Sequence, residues 1–291
     1  MNKDRFFPQG AISSLALGIV STIMAIASPV LALEVRVTPT NPQLGDTISV
    51  FIETDSATSK PTVEMGDKNY PAFPLANNSY RALVPTTPLD QPGRLTIQVS
   101  GDGEVRNIAL GLRNRSFPTQ RIRLTGKAAS RATQSELDQV AAFKRIVSPI
   151  KHWAGAFLRP NGGRVSTIFG IRRYYNGVFA ENYYHRGVDY AAATGSPIVA
   201  PAAGKVALVG RESEGFRVHG NTIGIDHGQG VLSIFLHLNS INVQPGDFVN
   251  AGQRIGTVGS TGASTGPHLH WGLYLHGAAV DPVPWRFQGF D

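Results

Sequence analysis

Four residues in the second half of the chain have types and spacings that could do metal chemistry. The segment YYHRGVDY carries His185 and Asp189, and GPHLHWG carries His268 and His270. On a strand, residues i and i+2 point to one face with Cα atoms about 7 Å apart, so both imidazoles of His-x-His can reach one small site. Leu269 and Trp271 then fall on the other face, toward a core, and Gly272 permits close approach. Such a pair can put one ligand on a metal ion and a second base beside it. His185 and Asp189 add a nitrogen and an oxygen donor. Four residues of straight strand would span about 13 Å, too far for two ligands of one ion. The segment must therefore bend, and Gly187 sits where it can. Three protein ligands would leave a fourth position open to water, as in a catalytic rather than a structural zinc site. A further segment, SIFLHLNS, contributes His237. Each of these imidazoles also reads singly as a satisfied, partly buried side chain, and residue chemistry alone leaves both readings open.

Composition narrows the chemistry. None of the 291 residues is cysteine, which excludes disulfides, thiolate zinc sites and cysteine nucleophiles. A metal must be held by His, Asp or Glu, and a nucleophile must be Ser, Thr, Lys, a carboxylate or an activated water. Glycine (32) and proline (19) are both raised, which favours turn-rich β structure over long helices. The formal charge of +7 suits an acidic partner such as nucleic acid, a membrane surface or an anionic wall polymer.

The elements that must position these residues follow from patterning. Residues 1–32 read as an export signal: Lys3 and Arg5 precede a long uncharged run, Pro29 breaks it, and Val30-Leu31-Ala32 gives a small-residue cleavage site with the cut after Ala32. Left uncleaved, the run from Gly10 to Leu33 is long enough to anchor the chain in the inner membrane. Residues 33–113 alternate with period two, as in TISVFIE and RLTIQVS, between recurrent turn signals, which predicts an immunoglobulin-like antiparallel β-sandwich. Residues 114–158 form a linker with one helix. Thr133 and Glu136 make a capping box, Leu137, Val140, Ala141 and Phe143 fall on one side, and Pro149 ends it. Residues 159–291 are β-formers separated by glycine turns, a second all-β domain that holds seven of the eight histidines.

The stretches HRGVDYAAATGSPIVAPAAGKV, HGQGVLSIFLHL and VNAGQRIGTVGSTGASTGPHLHWG resemble the lysostaphin-like M23 family of zinc metallopeptidases, from about Val165 to about Pro284. The resemblance implies an antiparallel β-sheet groove with Zn2+ at its floor, held by His185, Asp189 and His270. It implies that His268 is the catalytic base toward water, and that His237 sits across from it to stabilise the oxyanion or the attacking water. It places Arg172 near the groove and leaves His219, His227 and His276 outside the pattern, His276 at the surface or in a turn. The insertion YYNGVFAENYY would shape or cover the groove. The function it implies is a zinc-dependent hydrolase, an endopeptidase of peptidoglycan stem or cross-link peptides, exported to the periplasm or cell wall and open to a protein regulator. The alternative is a non-catalytic wall-binding or amidase-activating protein on the same fold, which usually lacks ligands that this chain keeps. A nucleic-acid partner is not expected, because no nucleic-acid-binding motif accompanies the charge.

Overall fold

Alternating apolar residues build the first part of the molecule. The computed structural model describes residues 33–290 apart from Ala57 and Asn77, so the export segment 1–32 lies outside the described residues. Eight strands come first: β1 (Glu34–Thr38), β2 (Thr47–Glu53), β3 (Thr62–Met65), β4 (Lys68–Pro71), β5 (Phe73–Ala76), β6 (Ser79–Pro85), β7 (Gly93–Gly101) and β8 (Glu104–Leu112). They form two antiparallel sheets, in the orders β1-β2-β6-β5 and β4-β3-β7-β8. Ile48, Val50 and Ile52 of β2 share one buried cluster with Ile97 and Val99 of β7, so the two sheets close on a common core. Asp102 and Gly103, both at positive φ, make the two-residue turn between β7 and β8, the conformation that a tight hairpin requires.

The connector is structured. It contributes β9 (Thr119–Ile122) and helix α1 (Gln134–Lys144). The Thr133 side chain accepts the Glu136 N–H while Glu136 reaches back to the Thr133 N–H, so the capping box forms as the sequence predicts. Val140 and Phe143 are buried, but Leu137 is 48% exposed and the buried place in the first turn is taken by Glu136. Phe143 lies where Gly224 has no side chain, since a Cβ there would come within 2.7 Å of the ring.

Beyond the helix lie β10 (Arg164–Thr167), β11 (Arg172–Tyr175), β12 (Val178–Phe179), β13 (Val188–Ala191), β14 (Pro197–Val199), β15 (Gly204–Gly210), β16 (Asn221–Gly228), β17 (Val231–Ile241), β18 (Phe248–Val249), β19 (Arg254–Val258), β20 (His268–Leu275) and β21 (Ala278–Val280). The main sheet runs β10-β13-β20-β17-β16-β15-β18, with β14, β19 and β21 attached to it, and its named pairings are antiparallel. A separate three-stranded sheet joins the connector to this region: β9 pairs in parallel with β11, and β11 pairs with β12. Buried polar groups tie the parts together. Arg81 of the sandwich donates to Gln229 Oε1 at 3.0 Å and to the Phe290 carbonyl, and Arg115 meets Asp281 at 2.8 Å. Among the described residues no helix is long and apolar enough to cross a membrane.

Candidate metal centre and its groove

Three neighbouring strands carry the candidate residues, and their register brings the groups together. Across β13 and β20, Asp189 lies opposite His270 and Ala191 opposite His268; across β20 and β17, His270 lies opposite Leu236. Alternation then puts His268 and His270 on the groove face while Leu269 and Trp271 are fully buried beneath. His185 arrives from the segment before β13, where the chain bends at Gly187. Glycine is required there for a further reason: a Cβ would run into the Trp271 carbonyl, so only glycine lets β13 approach β20 at this point.

The result is a tight cluster of donors. His185 Nε2 lies 3.0 Å from Asp189 Oδ1 and 3.0 Å from His270 Nδ1, and His270 Nδ1 lies 2.9 Å from Asp189 Oδ1. All three residues are buried, and one ligand atom from each lies within 4.8 Å of the others. His185 Nδ1–H donates to the Ile168 carbonyl at 2.8 Å, which leaves Nε2 as the lone-pair nitrogen facing the cluster. Lone pairs turned on one another at this range repel unless a shared proton or a metal cation lies among them. A tetrahedral ion with arms of about 2.0–2.2 Å separates its ligand atoms by roughly 3.3–3.5 Å, close to the observed spacing, so the donor set fits a divalent metal. Burial works against the Asp189 charge, but His185 and then His270 outweigh it and hold its pKa well below the ordinary value. Burial pushes His270 down to about 4, so its imidazole is neutral at pH 7 and can ligate.

His237 and His268 flank the cluster, with ring centroids 4.8 Å apart. His268 Nδ1–H donates to the Gly266 carbonyl at 2.8 Å, and His237 Nδ1–H donates to the Thr261 carbonyl at 2.9 Å. With the proton on Nδ1, the neutral form of either ring would carry its lone pair on Nε2. Burial, then His268 and His270, pushes His237 down to about 3. Strict alternation from Leu236 would turn His237 away from the groove. Its φ of 66° breaks that alternation, and Leu236 and His237 both border the cavity.

That cavity is about 740 Å³. Arg173, not Arg172, reaches it, with Nη2 at 3.9 Å from Asp189 Oδ2, while Arg172 stacks over Phe179 at 5.1 Å. Arg173 also donates to Tyr175 and Tyr183 hydroxyls at 3.3 and 3.4 Å and to Gln120 at 3.2 Å. The insertion thus shapes one wall of the groove, and the connector, through Gln120, Ile122 and Leu137, shapes more of it. Sequence reasoning singled out neither Arg173, Gln120 nor Ile122, and it read Leu137 only as part of the helix's packed side. The signal for Arg173 was its odd position beside Tyr175 in RRYY, on the same side of a short strand.

The other histidines have structural partners. Buried His227 bonds Ser233 and the Ala203 carbonyl, both at 2.8 Å, within β16 rather than in a turn. His276 is in the turn between β20 and β21, half-buried, with its ring 5.6 Å from that of Tyr70 in the sandwich. His219 pairs with Glu136 at 2.7 Å.

A β-sheet groove floored by a His-Asp-His donor set, with two carbonyl-anchored imidazoles alongside, has the constitution of a metal-dependent hydrolase. Residues 183–282 match the model of Peptidase family M23, so this part of the chain carries an M23 peptidase domain. DD-carboxypeptidase/endopeptidase Mpg of Neisseria meningitidis serogroup B is 39% identical over 120 residues, 41% of this chain and 26% of that protein. Peptidoglycan DD-endopeptidase ShyC of Vibrio cholerae is 39% identical over 129 residues, 44% of this chain and 29% of that protein. The match thus spans under a third of either relative's length. A crystal structure assigned to peptidase M23 from Pseudomonas aeruginosa superimposes with a TM-score of 0.63 at 27% identity, over 86% of this chain and 96% of that one.

Proposed function

We propose that this protein is a zinc-dependent endopeptidase that hydrolyses peptide bonds in the stem or cross-link peptides of peptidoglycan. The observation that carries the reading is the convergence of His185, Asp189 and His270 beside two imidazoles, His237 and His268, that border the same cavity. The two similar curated relatives, named as peptidoglycan DD-endopeptidase and DD-carboxypeptidase/endopeptidase, support the substrate class.

His185, Asp189 and His270 would hold the ion. When bound, zinc supplies Lewis acidity toward a carbonyl and makes water acidic. His268 Nε2 takes a proton from the attacking water as the new C–O bond forms, and returns it to the amine as the C–N bond breaks. His237 is better suited to accept a hydrogen bond from that water than to donate to an oxyanion, because its only N–H is spent on Thr261 and its burial disfavours a second proton. Arg173 balances the outer oxygen of Asp189 and orients the carboxylate. Tyr175 and Tyr183, with the connector residues Gln120, Ile122 and Leu137, wall the cavity in which a peptide would lie.

We read residues 1–32 as the export signal, with action in the periplasm or at the cell wall, and residues 33–113 as an immunoglobulin-like module. The sheet orders β1-β2-β6-β5 and β4-β3-β7-β8 support the latter, since they follow the A-B-E-D and C′-C-F-G arrangement. The test is hydrolysis of purified peptidoglycan by the metal-loaded chain, read as new amino termini. Full zinc loading without hydrolysis would favour a binding-only protein instead.

A further inference from the structure

The capping box at the start of α1 serves a second structure. Glu136 is 0% exposed. Its Oε2 accepts from the Thr133 N–H at 3.3 Å, as a capping box requires, and also from the Arg217 N–H at 3.0 Å. Its Oε1 accepts from the Val218 N–H at 3.0 Å, the His219 N–H at 2.7 Å and the His219 imidazole at 2.7 Å. Three successive amides turned onto one carboxylate make an anion nest; without the anion the Val218 and His219 N–H groups would lose their acceptor, and the Arg217 N–H would keep only the Gly215 carbonyl at 2.9 Å. The Thr133 hydroxyl adds a second tie by donating to the Gly215 carbonyl at 3.0 Å.

The clamped loop in turn holds His237. The His237 N–H donates to the His219 carbonyl at 3.0 Å, and the Ala263 N–H donates to the Val218 carbonyl at 2.9 Å. The second bond fixes the segment whose Thr261 carbonyl receives His237 Nδ1–H. His237 needs such support, because a left-handed φ on a non-glycine residue in a strand is strained and persists only where its surroundings impose it. Every bond from helix to imidazole is therefore present: Glu136, loop 217–219, His237.

We propose that Glu136 is a positioning residue for the groove, clamping residues 217–219 from the connector helix and thereby holding His237 toward the site. Its kinetic consequence rests on the peptidase reading above; its structural part does not. A residue that only anchors the helix behaves differently. Val140 is buried on the same helix but touches neither the loop amides nor His237 through any of these bonds.

The experiment compares Glu136→Gln, the milder Glu136→Asp and Val140→Ala in the full, metal-loaded chain. Backbone amide exchange and muropeptide kinetics are read side by side. The Glu136 variants should raise exchange at residues 217–219 and 237 by about tenfold or more, with β13 and β20 unchanged. They should lower kcat about tenfold with KM within about twofold, and metal content should stay at the wild-type level. Val140→Ala should lower Tm yet leave His237 exchange and kcat within about twofold. Wild-type exchange at His237 in both Glu136 variants would overturn the proposal, as would a kcat loss matched by Val140→Ala at equal Tm. If the wild-type chain hydrolyses nothing, the peptidase reading falls, and the exchange comparison still decides whether Glu136 holds His237.

Discussion

The groups around the groove are held in two different ways. His185, Asp189 and His270 are fixed by the sheet itself: Asp189 faces His270 in register, and the bend at Gly187 returns His185 to the same point. His237 and His268 also sit on strands, but their rings are oriented by a loop, each through an Nδ1–H bond to a carbonyl in the segment 261–266. The sheet gives a rigid, buried donor set suited to retaining an ion. The loop gives two imidazoles that border the cavity, and the placement of His237 depends on neighbours distant in sequence, Thr261 and His219. Metal retention and turnover should therefore be separable by mutation.

The largest effect should come from the donor set. Asp189→Ala removes the only carboxylate among its donors and leaves two imidazole lone pairs facing each other. Bound metal should be lost, and peptidoglycan hydrolysis should fall by about a thousandfold or more, with metal content and released amino termini measured on one preparation. His268→Ala tests the loop-held pair. Metal content should be unchanged while the rate drops by about 10²–10⁴-fold, and a near-normal rate would remove His268 as the base. Arg173→Leu should act between the two, weakening metal affinity by about 10–100-fold in a competition titration, because the outer oxygen of Asp189 loses its partner.

Smaller effects concern the scaffold. Gly187→Ala forces a methyl against the Trp271 carbonyl and should cost about 1–3 kcal/mol in denaturant unfolding. Gly162→Ala, where a Cβ meets nothing within 4 Å, should stay within about 0.5 kcal/mol. Acid should loosen the connector. Burial alone would raise the Glu136 pKa, but His219 and the loop amides lower it from 4.5 to about 2. The unfolded chain then takes up the proton first, so this contribution is present above pH 4.5 and lost between 4.5 and about 2. It amounts to about 3 kcal/mol, and a Glu136→Gln chain should lack that part of the acid dependence.

Much of this was legible in the sequence because it is local or periodic. His-x-His on a strand, the need for a bend between His185 and Asp189, the alternation of TISVFIE and the capping box at Thr133 all depend on a few neighbouring residues. What was hidden depends on partners distant in the chain. Glu136 reads as a helix cap, and nothing local announces that residues 217–219 complete it. The choice of Arg173 over Arg172 follows from which side of β11 faces the sheet, and that is set by the pairing with β9 some fifty residues earlier. His237 was visible as a lone histidine in SIFLHLNS, but alternation does not foretell a left-handed φ inside a strand. The connector reads as polar and basic, yet its β9 completes a groove wall because β11 offers it an edge.

The central claim is that hydrolysis depends on an ion held by His185, Asp189 and His270. The most direct measurement is release of new amino termini from purified peptidoglycan by the zinc-loaded chain, before and after a chelator and again after zinc is restored. The account predicts release that stops with the chelator, returns with zinc, and is absent from Asp189→Ala throughout. Release that continues through chelation, or that Asp189→Ala retains, would contradict it.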